Sequence, residues 1–263
     1  LRELKTFPTM LRIGFADLFA YRAQVVIWIL TTTMPLIMYA LWSTVAKEAP
    51  LGRFDEPTFA GYFLSTLVVR QLSSSWVVWE LNEHIRTGGL STTLLRPIHP
   101  LWFYAAENLG AIPFRLVIIV PLVAAAFLLF PSIRVSPTLL HIALYLWTTA
   151  LAWVLTFGMQ SMIGLLALYT QQSLSFQDAW FGLWALLSGY LIPLELMPSV
   201  AVFAKWLPFR AMGSLPTEII LGLLDGPALM EGLLAQLAWV AIFFVVIRWS
   251  WKRGIERFEA YGG

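Results

Sequence analysis

The chain has 263 residues, of which 59% are hydrophobic and only 12% charged, and its mean hydropathy is +0.75. An average soluble domain is about 25% charged, so a water-soluble globule of this length is excluded: it could not cover so much apolar surface. A net charge of +2 leaves no footprint for nucleic acid, and the lack of cysteine removes disulfide frameworks, thiolate metal sites and cysteine nucleophiles.

At about 20 apolar residues per crossing, the length divides into about six spans. The expected fold is an all-α polytopic membrane protein, a single transmembrane domain over residues 1–263. Leu4, Phe7, Leu11, Phe15, Leu18 and Phe19 recur at three- and four-residue spacing, with Arg2, Lys5, Arg12 and Asp17 between them. That pattern predicts an amphipathic helix over residues 1–22, lying in the membrane interface. The apolar run from Gln24 to Ala46 is too long for the core of a signal peptide and has no small-residue cleavage site after it, so it is expected to stay as the first span. The polar, turn-rich KEAPLGRFDEP (47–57) reads as an outer loop, and a second span runs from Thr58 to Trp79. Residues 80–108 hold too many ionisable groups for hydrocarbon and are expected to form a cytoplasmic loop. The third span is Gly110 to Phe130, a short outer turn follows, and the fourth is Thr138 to Tyr169. A fifth starts near Ala179 and soon meets Pro193, Glu195 and Pro198; the last is Ala228 to Ile247. Between them, residues 194–226 are too apolar for an ordinary loop, yet are broken by Pro198, Pro208, Pro216 and Gly222. Short external re-entrant or interfacial helices fit that mixture. In this arrangement ten of the 17 Lys and Arg residues fall inside and five outside, an excess that predicts cytoplasmic termini. No internal repeat is visible, which gives no support to an inverted-repeat carrier.

A nucleotide site is missing from the sequence. A P-loop needs a glycine-rich turn before a Lys followed by Ser or Thr; Lys5 precedes Thr6 without such a turn, while Lys47, Lys205 and Lys252 precede Glu, Trp and Arg. The chain is therefore not expected to be an enzyme alone or to bind a cofactor, and ATP used in transport must sit on another chain. In the inner loop, Gly88 and Gly89 permit a sharp turn. Leu90, Leu94 and Leu95 are expected on one side of a short helix that Pro97 ends. An apolar edge flanked by charges suits docking into a groove on a soluble partner, although a helix resting on lipid head groups has the same pattern. Arg70 falls near the middle of the second span, where a charge is costly unless paired or wet. It is either a pathway residue or a packing pair; Arg115, near the inner end of its span, reads as snorkelling to the interface. Glu80, Glu83, His84 and His99 match no zinc spacing, no metal site is expected, and no nucleophile, base and orienter set suggests catalysis. The tryptophans near span ends read as interfacial belts.

Three stretches carry a resemblance: the amphipathic N-terminal helix, GGLSTTLLRPIHPL at 88–101, and LPFRAMGSLPTEIILG at 207–222. With these in this order, the chain resembles the permease subunits of type-2 ABC exporters, particularly the antibiotic- and drug-exporter-like branch. The resemblance implies a dimer with a second copy or a similar permease, each engaging a separate ABC ATPase subunit that holds ATP and magnesium. The surface expected to meet that ATPase comprises Glu83, Arg86, Gly88, Gly89, Leu90, Leu94, Leu95, Arg96 and Pro97. External helices before the last span would close the exit, with Glu195, Pro208, Pro216 and Glu218 as gate candidates and Arg70 as the pathway candidate. The same resemblance implies a bacterial-type inner membrane and outward movement of a hydrophobic or amphipathic substrate. Two other readings stay open: an ATP-independent channel or secondary carrier using Arg70, and a scaffold whose inner loop only recruits a protein.

Overall fold

The computed structural model of the protein describes residues 8–9, 34–129, 132–133, 135, 138–170 and 173–258. The expected interfacial helix over residues 1–22, apart from Pro8 and Thr9, and the first span before Met34 lie outside them. The described chain is helical, with a single isolated bridge between Leu51 and Phe54. In order come α1 (Met34–Glu48), α2 (Glu56–Ser73), α3 (Val77–Arg86), α4 (Leu90–Leu94), α5 (Pro100–Gly110) and α6 (Ile112–Leu129). These are followed by α7 (Leu139–Leu165), α8 (Ser173–Leu187), α9 (Pro198–Ala204), α10 (Pro208–Met212), α11 (Ser214–Ile220) and α12 (Gly226–Ile255).

Local chemistry sets several of the starts. Asp55 caps α2 by accepting from the Thr58 amide at 3.0 Å, and Asp225 caps α12 by accepting from the Ala228 amide at 3.1 Å; each is followed by a proline in the first turn. A carboxylate there satisfies an otherwise orphaned N–H and meets the positive end of the helix dipole. Three helical runs, Pro100–Leu129, Leu139–Leu168 and Gly226–Ile255, are long and apolar enough to cross a membrane. At 30 residues each they reach about 45 Å, beyond the roughly 30 Å hydrocarbon core.

Their burial separates their roles. Half of the apolar window of Leu139–Leu168 is buried, against 11% and 17% for the other two runs. Accordingly α7 forms the centre, packing against α2, α3, α8, α10, α11 and α12, while α6 and α12 turn Val117, Leu128, Phe244 and Val245 outward. Gly164 lets α7 approach α3 closely: a Cβ there would stand 3.1 Å from Leu81, the small-residue device by which membrane helices pack. Hydrogen bonds reinforce the centre, with the Gln236 amide donating to the Thr148 and Ala211 carbonyls at 2.9 and 2.8 Å. The Ser65 hydroxyl donates to Thr217 at 3.2 Å.

The sequence boundaries need three corrections. The second span does not run unbroken to Trp79: α2 ends at Ser73 and α3 begins at Val77. The third run starts at Pro100, not Gly110, because His99 accepts from the Leu101 amide at 3.2 Å and starts α5, which joins α6 through Ala111. Much of the expected inner loop is therefore helix. The expected fifth span is already helical before Ala179, since the described part of α8 runs Ser173–Leu187. α2, in turn, is more polar than a free-standing span. For α2 the reason is burial: Ser65, Thr66 and Gln71 are all buried with it inside the bundle, so it need not be apolar all round.

Candidate functional site

The first candidate region is the α3–α5 segment. α3 turns Val77, Val78, Leu81 and Ile85 inward and exposes Glu83 and Arg86. The turn after it rests on Gly88, whose φ of +76° lies in the left-handed region; Gly89 has φ −59° and makes no such demand. Leu90 is then fully buried against Val77, Leu81, Ile85, Tyr104 and Leu165, with Leu94 packed partly on the same cluster. Leu95, by contrast, is 86% exposed. The three leucines do not share an edge, because residues advance about 100° each around a helix: positions four apart align, whereas Leu95 lies five after Leu90. The presented surface is thus Glu83, Arg86, Leu95, Arg96 and Pro97, on a pedestal held by Leu90 and Leu94. The Arg96 guanidinium lies 4.8 Å from the Phe103 ring centroid.

Behind this surface sits a set of titratable groups. The Trp76 indole donates to Glu80 at 2.5 Å, while the other Glu80 oxygen is buried without a partner. Burial, reinforced by the neighbouring Glu107, pushes the Glu80 carboxyl up to about 8. His84 Nδ1 lies 2.6 Å from the Tyr104 hydroxyl, and burial lowers its pKa against the opposing pull of Glu83. Glu80 and His84 thus face different partners, as does His99 at the start of α5.

The second region is Arg70. Its half-buried side chain lies 4.9 Å from the Trp184 ring and 5.5 Å from the Phe181 ring, both on α8, and Tyr190 is its hydrogen-bond partner. Its Nε has no hydrogen-bond partner among the described residues. Cation–π contact on two rings offsets part of the desolvation of the charge. Arg115 does not snorkel. It is 6% exposed, donates from Nη1 to the Gln71 and Ser74 carbonyls at 2.7 and 3.1 Å, and so caps the C-terminus of α2. Nη1 alone carries two N–H groups, enough to serve both carbonyls at the end of the helix. No local sequence signal announces that role.

The third region gathers residues 51–56 and 193–224 at the opposite end of the bundle from α4. Arg53 donates from Nε to Glu195 at 2.7 Å across 142 positions of sequence. Arg210 on α10 pairs with Glu218 on α11 at 2.6 Å, with side chains only 17% and 13% exposed. Pro208 opens α10 and Pro216 lies in the first turn of α11; the junction between the two is tied to the end of α8 by the Ser214 amide donating to the Ser188 carbonyl at 2.8 Å. Glu195 and Glu218 line a shared cavity of about 260 Å³ with Arg53, Lys205 and Arg210. Arg53 carried no sequence signal for this site, since only folding brings the loop before α2 against the segment before α12.

The two outer segments expected from charge counting thus meet at one end, and the α3–α5 segment meets Leu168, Trp251 and Ile255 at the other. No curated protein and no solved structure matches the chain. A family model described as ABC-2 family transporter protein matches residues 54–262, which includes the α4 surface and every lining residue of the cavity except Arg53. A helical chain with runs of membrane length and this match over most of its sequence belongs to the ABC-2 family of transporter proteins, as a membrane permease of an ABC transporter.

Proposed function

We propose that the chain is the membrane half of an ATP-driven exporter, moving a hydrophobic or amphipathic substrate outward with ATP hydrolysed on separate nucleotide-binding subunits that also hold the magnesium. In this reading two permeases, identical or similar, form the pathway between them in a bacterial-type inner membrane, with both termini cytoplasmic. The observation that carries it is the α4 surface: Leu95, Arg96 and Pro97 project outward while Leu90 anchors the same turn in the bundle. A projecting apolar residue flanked by charges suits a groove on a soluble ATPase, and a packed pedestal transmits displacement instead of absorbing it. ATP-driven closure of the ATPases would favour one arrangement of the permease pair, and Glu83, Arg86 and the 88–97 turn would carry that bias inward. Arg70, set among Phe181, Trp184 and Tyr190, is the pathway residue, and the segment 194–226, with Glu195, Pro208, Pro216 and Glu218, is the outer gate. The test is purification from the native membrane with identification of the co-eluting subunits, followed by transport in inverted vesicles with and without ATP. Co-elution of a P-loop ATPase and ATP-dependent uptake are expected. Recovery without any ATPase, or uptake that follows an ion gradient in ATP-depleted vesicles, would favour the channel or carrier reading instead.

A further inference from the structure

The outer cavity has a charge balance that a gate alone does not need. Its volume is about 260 Å³, well above what a single water needs. Its charged lining is Arg53, Lys205 and Arg210 against Glu195 and Glu218, three cations to two carboxylates. Both carboxylates are already engaged: Arg210 reaches Glu218 through Nε and Nη2, and Arg53 reaches Glu195 through the same pair of nitrogens. A guanidinium has five N–H donors, so each arginine keeps donors beyond those bonds. Lys205 has the loosest partner, Glu231, at 3.9 Å and outside the lining, with both side chains about half exposed; such a pair is weak. Among the lining residues cations therefore outnumber carboxylates by one, the third acid, Glu231, standing outside the lining, and the guanidinium and ammonium donors exceed the acceptors that the two lining carboxylates offer them. Its remaining wall is apolar, including Phe54, Leu223 and Leu224.

A cation would find no free carboxylate here, and a neutral polar solute would match the spare guanidinium and ammonium donors less well than an anion would. We propose that this cavity binds an anionic amphiphile, with a phosphate, sulfate or carboxylate head beside Lys205 within the reach of Arg53 and Arg210, and its first methylenes against Phe54, Leu223 and Leu224. The same chemistry is offered by a lipid head group of the outer leaflet and by a free amphiphile reaching the site from solution. The site does not depend on ATP coupling, so its success or failure is independent of the export proposal.

The test uses the purified full chain in phosphatidylcholine nanodiscs, titrated calorimetrically with octyl phosphate, octyl trimethylammonium and octyl glucoside, with empty nanodiscs subtracted. Octyl phosphate is expected to bind with one-to-one stoichiometry and more tightly than the other two. Lys205→Glu should weaken it by roughly 10-fold or more, as befits a hydrogen bond to a charged group, while Lys205→Arg retains it. Lys205 is exposed, so these variants leave folding intact; Ala201→Trp, which fills the cavity without altering charge, should abolish binding independently. Equal binding of octyl phosphate to the wild type, Lys205→Glu and Ala201→Trp would overturn the proposal, as would equal or tighter binding of octyl trimethylammonium. Including phosphatidylglycerol in the nanodisc separates the two sources: competition with octyl phosphate assigns the site to lipid, and its absence assigns it to a free amphiphile.

Discussion

Truncating Leu95 to alanine should weaken the grip of the ATPase on the permease while leaving the permease itself untouched. The side chain is 86% exposed and the fold does not rest on it. Burying a leucine fully is worth about 1.5–3 kcal/mol, which on docking into a groove corresponds to roughly 10- to 100-fold in affinity. Leu90→Ala works in the opposite direction. Leu90 is completely buried among five neighbours, so its truncation should cost about 2–5 kcal/mol of fold stability and disturb docking only through the collapsed pedestal. The assay pairs titration of purified ATPase onto nanodisc-embedded permease with thermal unfolding of each variant. Leu95→Ala should shift the binding curve and not the melt, and Leu95→Asp should shift it further, since a buried charge adds a desolvation cost. Wild-type affinity in both Leu95 variants would refute the assignment of this surface, because the projecting residue would then be solvated in the assembled transporter.

Glu80 gives a pH prediction. Its carboxyl titrates at about 8 in the fold, against an ordinary value of 4.5, so between those values the unfolded chain has released a proton that the native state keeps. Stability must then fall as pH rises through that window; unfolding from pH 5 to pH 9 should show the decline in the wild type and a flatter profile in Glu80→Gln. Arg210→Met leaves Glu218 buried without its partner and should cost about 3–5 kcal/mol, whereas the double change Arg210→Met with Glu218→Leu should recover most of it, both read from melting in detergent. Arg115→Met removes two charge-assisted bonds to the end of α2, at about 1.5–3 kcal/mol each; Arg115→Lys should restore only part, since the ammonium sits on a shorter stem than Nη1 and is more strongly hydrated. Arg70→Leu should leave insertion and ATPase co-elution at wild-type levels while lowering substrate flux in vesicles, and unchanged flux would remove it from the pathway.

The membrane class was legible in composition alone, because apolar content on this scale has no solution in water whatever the tertiary arrangement. The four lysines were enough to show that no P-loop is present, since that motif is contiguous. The two stretches at 88–101 and 207–222 were legible for the same reason, and the family match covers both. The broken second span and the early start of α5 were not, because hydropathy cannot tell a helix shielded by neighbours from one facing lipid, nor see that Arg115 caps α2 from 41 positions away. The split between Leu90 and Leu95 was available from the 100° advance per residue, but only once the limits of α4 were known. The cavity is closed only by the tertiary structure: Glu195, Lys205, Arg210 and Glu218 share the segment 194–226, but Arg53 reaches them from 142 positions away. Periodicity and composition act along the chain and survive in the bare sequence, while charge balance in a cavity depends on which segments meet, and that is decided by packing around α7.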